Sequence, residues 1–374
     1  MILISLPSWY PGMSDYPKIP AFSFFDPDFP RWIQYLLFFI LAGSLLFILP
    51  EFTRKMAATV FIITVSVLVL EDINRLQPWL WMHGLLLLFW SFSKTENIFG
   101  ITRWALVCMY AWSGIYKFNL NFAWEVFPFF MNAFGLKETF YLPVHEVGDY
   151  SMPLINHLAW SVPLAELLVA VLLCTKWQRQ GIYLAVFLHL VILFILGPLG
   201  LNWNEVVWVW NVLLIALLIV LLLSGEQPRF SFVKNKKVWN SLPVIVFGVL
   251  PVFWLFGWMP NNLSFHLYSG QNAELRFYMP GINEEFMDPE KAEWTFFDPE
   301  RNESVFWADH YAISVNHIPV FAEEKYMKQT GLKLCDCYGY SGNNKAGIIM
   351  AQYSYFGSRR ELTRISCPEL EKLR

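Results

Sequence analysis

The chain has 374 residues, of which 56% are hydrophobic and 15% charged, against roughly a quarter charged in an ordinary soluble domain. With a mean hydropathy of +0.40, it is built for lipid more than for water. A formal charge of −3, with no basic run longer than Lys234, Lys236 and Lys237, argues against nucleic acid as a partner.

The first thirty residues carry one basic side chain, Lys18, and are broken by Pro7, Pro11, Pro17, Pro20, Pro27 and Pro30. They lack the basic start of a secretory signal. Residues 31–258 form the next block. Long apolar runs have to be helices where no water satisfies the backbone, and the pattern predicts about eight spans: 31–49, 55–71, 78–93, 101–118, 153–174, 181–197, 203–223 and 239–258. The predicted architecture is therefore an all-α polytopic membrane bundle.

Basic residues set the predicted orientation. Ten lie on one side: Arg54, Lys55, Lys94, Arg103, Lys176, Arg179, Arg229 and the three lysines already named. Lys18, Arg31, Arg75, Lys117 and Lys137 lie on the other. The positive-inside rule puts the ten in the cytoplasm and both termini outside it, as in a bacterial inner membrane. Between the fourth and fifth spans, Phe122 to Phe134 is rich in Phe, with Asn121, Glu125 and Asn132 spaced as on one helix face. That predicts an amphipathic helix in the outer interface.

From about residue 259 the composition turns polar, and alternating runs at Ala273–Met279 and Tyr311–Val315 predict a small, mostly β soluble domain over 259–374. Its three cysteines offer one disulfide, from Cys367 to Cys335 or Cys337, in a compartment that permits it. No second Cys pair or His pair accompanies them, so no metal site is expected.

Ionisable and amide groups inside spans are costly and mark candidate sites. His83 lies five residues into the third span, Lys117 at the outer end of the fourth, and His189 roughly 12 Å below the outer surface. Asn211 falls at a matching depth on the next helix, within hydrogen-bonding reach of His189. Asn204 and Trp208 share the Asn211 face. Glu166 stands apart at about 20 Å depth by the same rise, with a Lys or His elsewhere as its plain partner. The cluster reads as a cavity open to the outside. Plainer roles compete: interhelical hydrogen bonding for His83, His157, Asn202 and Asn204, a snorkelling anchor for Lys117, and a local Asp72–Arg75 salt bridge.

Three stretches, Glu71-Asp72-Ile73-Asn74-Arg75-Leu76-Gln77-Pro78-Trp79, Tyr110 to Asn119 and His189 to Asn211, together resemble the horizontally transferred transmembrane (HTTM) family, which includes the vitamin K-dependent gamma-carboxylase. The resemblance implies a quinone or hydroquinone cofactor, with Lys117 as the base and His189 and His83 beside it as catalytic groups. Asn211, Asn204 and Trp208 would then hold the cofactor. Two other readings stand beside it: a transporter or lipid-binding protein using the same groups, and a membrane anchor or assembly factor whose soluble domain does the work.

Overall fold

The computed structural model describes residues 1–22, 24, 27, 29–136, 154–225, 238–282, 286, 289–353 and 360–373. Arg229, Lys137, Arg374 and the Lys234, Lys236 and Lys237 run lie outside the described residues. The chain divides into two units: Met1 with 48–59 and 78–271, and 2–47 with 60–77 and 272–374.

The first unit is a helix bundle. After one short turn of helix at Leu6–Trp9, the longer helices in chain order are α1 (Arg31–Phe47) and α2 (Arg54–Glu71), followed by α3 (Pro78–Phe92), α4 (Thr95–Tyr116) and α5 (Phe127–Met131). Then come α6 (Ser161–Leu173), α7 (Gln178–Leu196), α8 (Glu205–Leu223) and α9 (Val238–Pro243). Four helical stretches are long and apolar enough to cross a bilayer: Asn97–Tyr116, Asn156–Leu173, Gln178–Leu196 and Glu205–Leu223. Their outward faces are apolar, as at Leu164, Leu168, Val171, Phe187 and Leu190, which are all exposed. A surface of that kind is stable only against lipid.

The expectation of about eight spans is therefore corrected to four candidates among the described residues. The reason is length and regularity. The 17 residues of α1 rise about 26 Å and the 15 of α3 about 22 Å, short of a hydrocarbon core of ~30 Å. Arg54, Lys55 and Glu71 lie inside the ends of α2. The run that starts at α9 passes through a π-helical segment, Val244–Val249, into a 3-10 segment, Leu250–Phe256. Pro243 and Pro251 each remove a backbone donor there, which prevents one continuous α-helix.

Within the bundle α4 packs on α6, α6 on α7, and α7 on α8. Glycines set two of these approaches. A Cβ on Gly114 would meet the Pro163 carbonyl and Leu167 at 3.0 Å, and one on Gly181 would meet the Leu172 Cβ at 2.8 Å. Small residues let helix backbones close in this way where dispersion, not hydrophobicity, holds helices together. Phe122 to Phe134 is helical, passing from a π-turn through α5 to a 3-10 turn, with Phe122, Ala123, Phe127 and Phe130 buried.

The second unit holds a five-stranded antiparallel sheet of order β2-β3-β1-β4-β5. The strands are β1 (Glu274–Pro280), β2 (Thr295–Asp298), β3 (Glu303–Trp307), β4 (Gly347–Tyr353) and β5 (Arg360–Ser366). In β1, Leu275, Phe277 and Met279 alternate into the core, with Phe306 and Ile348 opposite Phe277. Three helices, α10 (Ala308–Asn316), α11 (Glu324–Cys337) and α12 (Cys367–Glu371), add to this core, as do Tyr16, Phe286, Val320 and Ala346 from the connecting segments.

The C-terminal part is thus α+β, not mostly β, and Tyr311–Val315 is helix, not strand. Apolar residues at 308, 311, 312 and 315 recur at the helical period, which outweighs alternation over five residues. The buried set of α11, Met327, Thr330, Gly331, Leu334 and Cys335, follows the same rule. Cys335 and Cys367 form a disulfide, with Cα atoms 5.9 Å apart. It ties the end of α11 to the start of α12 inside the core.

A second correction concerns Asp72 and Arg75. Asp72 caps the 3-10 turn Ile73–Arg75, and its Oδ1 accepts from the backbone N–H groups of Ile19 and Asn74. Arg75 instead donates to Glu71, one helical turn away, at 2.7 Å, the spacing at which side chains on a helix face meet.

Candidate functional site

Tyr110, Ser113 and Lys117 are spaced three and four apart and so lie on one face of α4. That face meets Glu166 on α6 and His189 on α7, and all five line an internal cavity of about 130 Å³. Asn211 and Trp210 from α8 complete the wall, with Tyr268 from the loop after Leu263. The remaining lining is apolar, including Met109, Phe130, Val162, Ile192 and Leu214.

Two polar groups occupy this apolar space. In the first, the Lys117 ammonium donates to both carboxylate oxygens of Glu166, at 3.0 Å each, and to the Ser113 hydroxyl. Both charged residues are buried, so each makes the other's presence in the bundle tolerable. In the second, Asn211 Nδ2 donates to the Val207 carbonyl at 2.7 Å, which turns its Oδ1 toward His189. The His189 Nδ1–H then donates to that oxygen across 2.6 Å. With Nδ1 as the donor of the neutral ring, Nε2 accepts the Tyr110 hydroxyl at 2.5 Å. The Tyr110 oxygen keeps its lone pairs for the cavity. Tyr268 is opposite in sense: its oxygen accepts from Asn204 Nδ2 at 3.1 Å, and its O–H remains to donate.

A third buried group sits behind Lys117. His266 stacks between Tyr116 and Trp254, at 4.0 and 3.8 Å between ring centroids. Its Nδ1 bonds the Ser269 hydroxyl at 2.5 Å, and its Nε2 has no partner among the described residues. Burial, with the Lys117 charge adding to it, holds this imidazole well below its ordinary pKa.

Of the residues singled out in the sequence, Lys117, His189 and Asn211 meet at the cavity, and the expected His189–Asn211 hydrogen bond is present. Asn204 acts one step away, through Tyr268. Trp208 packs in the apolar cluster around Phe130 and Leu196, donates to the Trp203 carbonyl at 3.0 Å, and is not in the wall. His83 bonds its own helix at the Trp79 carbonyl, 2.7 Å away, and does not line the cavity. Glu166, placed by sequence deep in the opposite half, is instead the partner of Lys117. Its segment opens with a 3-10 turn, Leu154–Trp160, before α6 begins at Ser161. Glu166 is thus five residues into the α-helix, about 8 Å along it. Tyr110 and Tyr268 are the functional candidates that the sequence did not single out, and the Tyr110–Ser113–Lys117 spacing was the available signal for the first; Glu166 was singled out, with a Lys or His as its expected partner, and Lys117 is that partner.

Four bilayer-length helices with apolar outer faces, and polar side chains turned inward, define a multi-pass membrane protein. Among known families, the model described as methylamine utilisation protein MauE matches residues 95–205. No curated protein and no solved structure matches the chain. The match overturns the resemblance to the HTTM family: the segment holding the Tyr110–Asn119 run and His189 is similar to MauE, and the roles drawn from the carboxylase go with that resemblance. The matched stretch begins at α4 and ends as α8 begins, so it contains Lys117, Glu166 and His189.

Proposed function

We propose that the bundle binds a small, lipid-soluble, ring-bearing molecule of the quinone or hydroquinone class. The observation that carries this reading is the cavity itself. At about 130 Å³ it is close to the ~150 Å³ apolar cavity known to admit benzene, and an apolar space with a few convergent polar groups is the usual form of a ligand site. A hydroquinone hydroxyl would donate to the Tyr110 oxygen, and a ring oxygen would accept from Tyr268. Lys117 has its donors engaged by Glu166 and Ser113, so we assign it to fixing that wall and not to proton abstraction. The MauE match takes in α4, α6 and α7 but stops before the part of α8 that carries Trp210 and Asn211.

The C-terminal part from residue 259 is proposed to lie outside the cytoplasm, as is the N-terminal segment 1–30. The Cys335–Cys367 disulfide supports this, since such bonds persist in oxidising compartments. The test of the ligand reading is the organic extract of the protein purified in mild detergent. A stoichiometric quinone is the expected result; phospholipid alone counts against it.

A further inference from the structure

The second unit contains a smaller cavity of about 60 Å³, unlike the first in being mostly polar. It is lined by the N-terminal segment around Ser14, Tyr16 and Lys18, by Asp72 and Arg75, and by Asn316 at the end of α10. Four of these groups are buried and hold unspent hydrogen-bonding capacity. Arg75 spends Nε on the Ser8 carbonyl and Nη1 on the Leu68 carbonyl and Glu71; no bond from Nη2 is formed among the described residues. Asp72 receives both of its backbone hydrogen bonds on Oδ1, leaving Oδ2. The Tyr16 hydroxyl and the Asn316 side-chain oxygen are buried without any partner among the described residues, although both side chains are more than nine-tenths buried.

The two orphaned groups, the Tyr16 hydroxyl and the Asn316 oxygen, are costly unless something fills the space beside them. The arrangement describes the occupant. A guanidinium N–H and a carboxylate oxygen lining one small cavity ask for an acceptor and a cationic donor on one molecule. Tyr16 can serve either end, and the Asn316 oxygen adds an acceptor for the donor end. The Lys18 ammonium, bonded to Glu71 and Gln34 at 2.9 Å and 38% exposed in its side chain, stands at the solvent side and favours entry of an anionic group. The volume is about twice the ~30 Å³ share of one water, which limits a solute to roughly five heavy atoms.

We propose that this cavity is a binding site for a small zwitterion of the amino-acid class, its carboxylate on Arg75 and its ammonium on Asp72, Asn316 and Tyr16. The site is independent of the bundle cavity.

The full-length protein in detergent tests this by thermal unfolding and calorimetric titration with glycine, acetate, ethylammonium and urea as separate probes. Glycine is expected to bind saturably and raise the unfolding midpoint, while acetate and ethylammonium, singly or together, shift it by much less. Tyr16→Phe keeps the shape of the ring and is expected to leave the unliganded midpoint unchanged or higher while weakening glycine at least fivefold. Asn316→Leu fills the space with a side chain of similar size and is expected to abolish the shift. An equal response to acetate alone would make this an anion site and overturn the proposal. No saturable response to any probe, or glycine binding unaffected by both variants, would mean that ordered water fills the cavity, and would equally overturn it.

Discussion

Lys117 at the end of α4 holds both carboxylate oxygens of Glu166 on α6 at 3.0 Å, and the two charges are buried together. Removing one partner of such a pair typically costs 3–5 kcal/mol, because the other is left uncompensated. Lys117→Met and Glu166→Leu are therefore each expected to lower stability in detergent by about that amount. The double variant Lys117→Met/Glu166→Leu should recover most of the loss. Additive losses in this cycle would mean that the two side chains do not interact.

The same helix pair depends on Gly114. A Cβ there would lie 3.0 Å from the Pro163 backbone oxygen, and backbone cannot swing aside as a side-chain tip can. Gly114→Val is expected to destabilise the bundle by about 1–3 kcal/mol, the range for overpacking. Gly43, with nothing within 4 Å of its added Cβ, serves as the control: Gly43→Ala should be neutral or slightly stabilising.

The alternation in β1 was legible in the chain as a strand, whereas the stripe of α11, though it follows the helical period, lay inside a domain expected to be mostly β. The polar face of α4 was legible too, because Tyr110, Ser113 and Lys117 recur at one turn and two. What escaped was register between elements. Pairing Glu166 with Lys117 depends on where α6 begins, and the 3-10 turn before it shifts that start by several residues. Tyr268 could not be read at all: it sits in a loop at φ 49°, with no periodicity to place it against α7 and α8. The count of spans failed for a related reason, since apolar composition alone does not distinguish a continuous helix from one interrupted at Pro243 and Pro251.

Acid should loosen the bundle through His266. The folded state holds this imidazole neutral well below its ordinary pKa, whereas the unfolded chain takes up a proton below about pH 6.5. The unfolded state then binds more protons, so stability is full above that pH and falls as pH drops beneath it. Melting curves at pH 7.5 and 5.0 should show a smaller acid loss for His266→Gln than for the native chain. An identical loss would assign the effect to other groups.

The Cys335–Cys367 bond spans 32 residues, and closing a loop of that length is worth about 3–4 kcal/mol in the chain-entropy model. A non-reduced digest should contain the linked pair. Cys335→Ser/Cys367→Ser should melt lower than the native chain under oxidising conditions, and reductant should abolish the difference. A native chain insensitive to reductant after denaturation and refolding would show that the bond contributes nothing to stability.

Whether the α4–α8 cavity receives a ring-bearing molecule is tested most directly by equilibrium titration of the purified protein with a short-chain benzoquinone and its quinol. The account predicts saturable binding at one site per chain, weakened about tenfold in Tyr268→Phe, in keeping with ~1.4 kcal/mol for one lost hydrogen bond. It predicts loss of binding in Val162→Phe/Leu214→Phe, whose larger side chains fill the cavity while the fold is retained. Binding of equal strength in the filled variant, or no saturable binding in the native protein, would contradict it.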